Sequence, residues 1–461
     1  MPARFAIILM LALWPGLAHA HASEQGYVLL LPTDVYIAAG VASVALTVLL
    51  IALLPPGAAE ALFRPATLWP RRRPALRHLT SCLSALFLGF LVWRGMTGPH
   101  DPMINPLPLF VWTVWWVALV AVQGLVGNLW GWINPVTGPA ALIARLSGVR
   151  APLRWPRRLG YWPAVALFLG FGGFLMADPA PTDPDRLSIV TGVYWCATLL
   201  GTLLFGPAFV VRAEMTTVIM RAYGRMAILG RARGCRALGV PGWQALAGPG
   251  VPLSLAVLMV VLLGTGSFDG INETFWWLVM LGLNPLEFPG RSVIIPQTLA
   301  GLVLVNLALI TAFCACLWLG ERLGGTRRPL AVAFRRFAPS ILPIALGYHV
   351  AHYLTALLVD GQYVLKWLDD PLGRGANLLG LADTYVTTGF FNTQHTVRAI
   401  WLTQAGAVVA GHVVAILLAH ALAMRDAADR RQAVLGQAPL AAFMVAYTFF
   451  GLWLLASPRG I

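Results

Sequence analysis

Stretches of about twenty apolar residues, separated by short segments that hold the charges, run the length of this chain. That alternation leaves few folds open. Backbone polar groups in hydrocarbon must pair within their own segment, which selects helices or a closed barrel, and segments this long and uninterrupted are helices. The 461 residues are 58% hydrophobic and only 11% charged, a balance that excludes a soluble globule. We expect an all-α, polytopic helical membrane protein of about ten transmembrane helices. They are read near 35–54, 79–95, 108–126, 160–177, 189–211, 251–266, 296–319, 338–359, 397–422 and 437–456.

The N-terminus "MPARFAIILMLALWPGLAHAHASEQGY" has the layout of a cleavable signal peptide: Arg4, an apolar run from Phe5, and a small-x-small site at Ala18-His19-Ala20. This divides the chain into a signal peptide at 1–20 and one membrane domain at 21–461. Cleavage there makes His21 the first mature residue, whose amine and imidazole could chelate copper; the plainer reading is a good cleavage site.

The net charge of +14 could suggest nucleic acid, but its distribution argues for topology instead and against a nucleic-acid partner. Twenty-four of the 32 basic residues fall in alternate loops, beginning near 55, 140, 212, 320 and 423. By the positive-inside rule those loops are cytoplasmic, so both mature termini are periplasmic in a multi-pass protein of a bacterial inner membrane. The acids gather in the other loops. Two outer stretches are long: 267–295 reads as interfacial or re-entrant, 360–396 as loop with a short helix, and together they could form a cap over the outer face. None of the five cysteines falls in an outer loop, so no disulfide is expected. Trp112, Trp115, Trp116, Trp276 and Trp277 read as interfacial belt residues. "GNLWGWINPVTGP" and "LNPLEFPG" read as helix-ending breakers.

The chemistry is carried by polar residues inside the spans. His349 and His352 in "GYHVAHYLTALLVDGQ" lie about 60° apart on a helix, and His412 lies at comparable depth in the next span, with His420 two turns beyond it. Asp269 in "GTGSFDG" stands at the mouth of span six, Asp360 follows span eight, His395 opens span nine, and Asp383 lies in the cap loop. Imidazoles with a carboxylate are a ligand set for a divalent metal, Zn or Fe, and a metal would satisfy buried rings and activate a water. A structural role competes with this, because a lone intramembrane histidine often only bonds a carbonyl or hydroxyl of a neighbouring helix. No Walker A, dinucleotide-binding or GxSxG pattern is present.

"APSILPIALGYHVAHYLTALLVDGQ", "DPLGRG", "LGLAD", "GHVVAILLAHALA", "LFGPAF" and "LLGTGSFDG" together resemble a family of bacterial multi-pass membrane proteins, some of whose members are labelled fenitrothion hydrolase. The resemblance implies hydrolysis of organophosphorus triesters, and this fits the metal chemistry read from the residues: a membrane-embedded, metal-dependent hydrolase acting on apolar triesters at a His/Asp site open to the periplasm. In that reading His349, His352 and His412 hold the metal, Asp269 is a fourth ligand or general base, and Asp360 and His395 line the entrance. Two other classes stay open: a metal-ion or proton-coupled transporter using the same residues, and a scaffold whose histidines only join helices. The partners expected are the lipid bilayer and a small apolar substrate or metal ion; a partner subunit is not readable.

Overall fold

The computed structural model describes residues 28–459 except 56, 71–75, 149, 247–249 and 288–289. The expected signal peptide, His21 and Arg71 to Arg73 therefore lie outside the described residues.

Ten helices follow the ten apolar stretches: α1 (Thr33–Leu53), α2 (Arg77–Thr97), α3 (Pro106–Leu125), α4 (Trp162–Ala177), α5 (Pro184–Phe205), α6 (Leu253–Ile271), α7 (Ile295–Leu323), α8 (Leu342–Asp369), α9 (Gln394–Asp426) and α10 (Arg430–Ala456). Among the described residues, nine are long and apolar enough to cross a membrane; α4, of 16 residues, is apolar but shorter. The chain is an all-α, multi-pass membrane protein.

Burial separates lining helices from the centre. On α1, Leu46, Leu49, Leu50 and Leu53 are exposed, as on a helix that faces lipid. On α6 nearly every side chain is buried, which its sequence "LSLAVLMVVLLGTGSFDGI" foreshadows by being apolar on all faces. Around α6 pack α4, α7 and α8; α8 also meets α3 and α9, and α10 lies against α9, α7 and α1.

Glycines set the closest crossing. A Cβ on Gly347 of α8 would stand 2.5 Å from the Ala407 carbonyl oxygen, and one on Gly411 of α9 would stand 2.6 Å from that of Pro343. The two backbones therefore touch, and the residues that follow each glycine turn away from the seam.

The arginine-rich connections gather at one end. There a three-stranded antiparallel sheet forms from β1 (Ala66–Pro70), β3 (Cys235–Leu238) and β2 (Leu229–Ala232), in that order. Beside it the short helix Met215–Tyr223 is buried at eight of its nine residues. Glu214 caps that helix, its carboxylate accepting from the Thr216 and Thr217 N–H groups (2.8 and 2.7 Å) and from the Tyr194 hydroxyl (2.5 Å). The polar breakers after α3 end it as expected: the Gln123 side chain accepts from the Leu129 and Trp130 N–H groups. Arg425 ties α9 to Glu60 across this end (2.7 Å).

The opposite, acidic end departs from expectation in one place. Among the described residues of 267–295, α6 runs on to Ile271, and a six-residue helix, Phe275–Met280, leaves Trp276, Val279 and Met280 exposed, which suits the interfacial form of that reading and not the re-entrant one. Residues 360–369 are helix and not loop. The run continues as helix because "DGQYVLKWLD" holds no breaker after Gly361 until Pro371, so Asp360 sits within α8. Beyond it, Asp369 accepts from the Leu379 N–H (2.6 Å), and the Gln362 amide exchanges hydrogen bonds with Thr387, pinning residues 370–393 over the bundle. The five cysteines are free.

Candidate functional site

The site lies where α6 and α8 meet near the acidic end. Asp269, two residues before α6 ends, projects toward α8 and presents Oδ2 to two neighbours. His352 Nε2 lies 3.1 Å from it, and the Tyr353 hydroxyl donates to it at 2.5 Å. Little of the pair meets solvent: the side chains of His352 and Asp269 are 9% and 13% exposed. Tyr348, one turn earlier, stacks on the His352 ring (centroids 5.5 Å, planes at 15°). Its hydroxyl reaches the α6 backbone only because position 270 is glycine; a Cβ there would stand 2.0 Å from it.

This arrangement follows from the helix period. His349, His352 and Tyr353 recur at i, i+3 and i+4, so they share one face of α8. That face lies away from Gly347 and its contact with α9. On the other side, the middle of α3 is wound as a π-helix over Leu109–Leu119. Such widened turns frequently mark functional sites. Its Trp116 is buried and meets the His349 ring edge-on (5.1 Å, 86°). Tyr223, at the end of the buried short helix, approaches the same imidazole (6.2 Å).

Between these elements lies a cavity of about 20 Å³, room for one water-sized group, lined among others by Trp116, Tyr223, Asp269, Tyr348, His349, His352 and Tyr353. A second cavity, of about 90 Å³, lies beyond His352 and is lined by Val28, Leu29, Thr355, Trp401, Gln404 and Leu455 to Arg459 as well as by His352 itself. His352 is thus the wall common to both. Buried polar atoms without a protein partner cluster here: His349 Nε2, His352 Nδ1, Tyr348 Oη, and the indole nitrogens of Trp116 and Trp401.

Of the residues singled out from sequence, the fold brings together His349, His352 and Asp269. It does not bring in His412. That ring bonds the Val408 carbonyl of its own helix (Nδ1–O 2.9 Å) and faces Tyr447 of α10 (6.4 Å). The cause is the Gly347–Gly411 seam: His349 follows its glycine by about 200° of helix and His412 follows its own by about 100°, so the two diverge. Among the described residues, no group of three or more His, Cys, Asp or Glu is placed to hold a metal ion. His420 accepts or donates a bond with Gln437 (2.7 Å), a helix-joining contact. Asp360 is half-buried within α8, eight residues beyond His352, while His395 and Asp383 are exposed; none of the three lines either cavity.

Several participants escaped the sequence reading. Trp116, read as a belt residue, is a wall of the inner cavity; Trp276 alone of that set is exposed enough to suit the interface reading. Tyr353 adjoins a singled-out histidine, and its i+4 relation to His349 is the signal that could have found it. Arg459 and Tyr223 come from segments remote in sequence, and nothing local announces them.

No family model matches the chain, no curated protein matches it, and no solved structure matches it. What defines the protein is its own geometry: a multi-pass helical membrane protein with a buried Asp–His–Tyr cluster.

Proposed function

We propose that this chain is a proton-coupled membrane carrier, in which Asp269, His352 and Tyr353 form the proton-binding site and the acidic end faces outward. The observation that carries this reading is the shared acceptor: one carboxylate oxygen held by both an imidazole and a phenol, on a wall between two cavities. Ionisable residues inside a membrane are costly and mark ion or proton routes. A buried carboxylate–imidazole pair holds or releases one proton as a unit, so loading is a property of the pair. The wider cavity gives the pair access toward the acidic end, and His349 with Tyr223 continues polar groups toward the arginine-rich end. Placement of the arginine-rich end on the cytoplasmic side is consistent with the positive-inside rule.

The metal-dependent organophosphorus hydrolase that joins the motif resemblance to the histidine reading asks for His349, His352 and His412 around one ion. His412 faces α10, and Asp269 is already engaged by His352 and Tyr353. The donor set does not fit a metal in this arrangement, and we derive no step through one.

The test is proton movement in proteoliposomes loaded with a pH-sensitive dye. An imposed pH gradient should collapse faster with the wild-type protein than in empty liposomes, and D269N should abolish the difference. Equal rates for wild type and D269N would overturn the reading. Hydrolysis of a p-nitrophenyl phosphotriester by the purified protein, lost in H412A, would favour the hydrolase instead.

A further inference from the structure

The wider cavity holds a guanidinium with no carboxylate at ion-pair distance among the described residues. Arg459 lies on its wall, and the backbone fixes it there: Thr274 and Arg459 form an antiparallel bridge, and the Phe275 N–H donates to the Pro458 carbonyl at 3.0 Å. Among the described residues Arg459 makes no ion pair. The two nearby carboxylates of that turn are taken: Asp269 by His352, and Glu273 by Arg291 at 3.2 Å. Two further groups on the same wall are buried and unpartnered, the indole N–H of Trp401, itself 1% exposed, and His352 Nδ1. A guanidinium on a backbone-anchored residue, an unused indole donor and a pairing imidazole are the elements of an anion site. The rest of the wall is mixed: Thr355, Gln404 and Ser457 add polar groups, and Val28, Leu29 and Leu455 add apolar ones. Arginine suits a planar carboxylate, which it binds through two parallel hydrogen bonds.

We infer that this cavity binds a small organic carboxylate, held by Arg459 and Trp401 beside the proton-binding pair. Its volume of about 90 Å³ admits a few heavy atoms and not a long chain. This deepens the carrier reading by naming what travels with the proton. The coupling rests on that reading; the binding does not. When Nε2 donates to Asp269, Nδ1 carries a free lone pair and can take the proton of an arriving carboxylic acid. The acid's O–H bond breaks, the N–H bond forms, and the carboxylate left behind is held by Arg459. The titratable and charged groups around His352 are Asp269 from α6, Tyr348, His349 and Tyr353 from α8, and Arg459 from the C-terminal segment; α9 contributes only the neutral Trp401 and Gln404 to that wall.

The experiment is calorimetric titration of the full-length protein in zwitterionic-lipid nanodiscs with acetate, benzoate and inorganic phosphate. Acetate or benzoate should bind saturably, R459Q should weaken that binding at least about tenfold, and W401F, which removes the indole donor and part of the ring but no charge, should weaken it less. D269N should retain carboxylate binding at alkaline pH, which separates this site from the proton site. Absence of saturable binding, or R459Q equal to wild type, would overturn the inference even if proton flux is confirmed. Preference for phosphate over both carboxylates would overturn the carboxylate assignment. Loss of binding when anionic lipid replaces zwitterionic lipid would give the pocket to a lipid headgroup and overturn it likewise.

Discussion

His352 Nε2 stands 3.1 Å from Asp269 Oδ2, joining α8 to α6 at the point where Tyr353 also donates to that oxygen. Each group gives the others what lipid and a packed interior withhold. The carboxylate gains two donors, and the imidazole and phenol gain an acceptor, so removal of any one leaves the rest exposed to the cost of burial without a partner.

Asp269→Ala should destabilise the protein by about 3–5 kcal/mol, because it strands both an imidazole and a phenol. Tyr353→Phe removes one donor and should cost about 1 kcal/mol. Thermal unfolding in detergent, followed by tryptophan fluorescence, orders the two. A Tyr353→Phe cost as large as that of Asp269→Ala would show that the carboxylate is not the centre of the cluster.

The α8–α9 seam makes a separate prediction. Gly347→Val places a branched side chain where even a Cβ meets the Ala407 carbonyl oxygen at 2.5 Å. Both helices must shift, at a cost of about 1–3 kcal/mol. Gly406→Val, on the same pair of helices but with open space around it, should cost far less. Size-exclusion profiles and melting temperatures of the two variants give the comparison.

The histidine that the fold sets aside should behave differently from the pair. His412→Gln should leave proton flux near the wild-type rate, whereas His352→Gln should remove it. Loss of flux in both would place His412 on the proton route and contradict the divergence of the two faces.

A pH effect is expected at the acidic end, outside the spans. The N–H groups of Arg374 and Gly375 hold the Asp370 carboxyl below its ordinary range. For a carboxyl whose folded pKa is depressed, the stabilising contribution is complete above the ordinary value near 3.9 and fades as pH falls through the folded value. D370N should therefore raise hydrogen exchange across residues 370–375 near pH 7, and the same substitution should change little in strong acid. An equal effect at both pH values would show that the charge is not what orders the turn.

How much of this was legible depends on the range of the interaction that decides it. The helices were, because hydropathy over twenty residues is local, and the ends at the "NP" breakers after α3 were too. The start of the 360–396 stretch was not, since "DGQYVLKWLD" is polar enough to read as loop yet propagates the helix when packed on residues 370–393. Within the site, Asp269 and His352 were both picked out and do meet. Their third expected partner, His412, was misplaced for a reason that no spacing rule contains: the contact of Gly347 with Gly411 fixes which way each following imidazole turns. The π-wound segment that brings Trp116 onto His349, and the fold-back that brings Arg459 to the cavity, arise from tertiary packing and leave no pattern in the chain.

The most direct measurement is an infrared difference spectrum of the purified protein between alkaline and acidic pH, taken on wild type and D269N. If the Asp269–His352 pair is the proton site, the wild-type spectrum contains a carboxyl band with an imidazole change that rises and falls with it, and D269N loses both together. An unchanged imidazole signal in D269N, with the carboxyl band intact, would contradict the proton-coupled reading at its root.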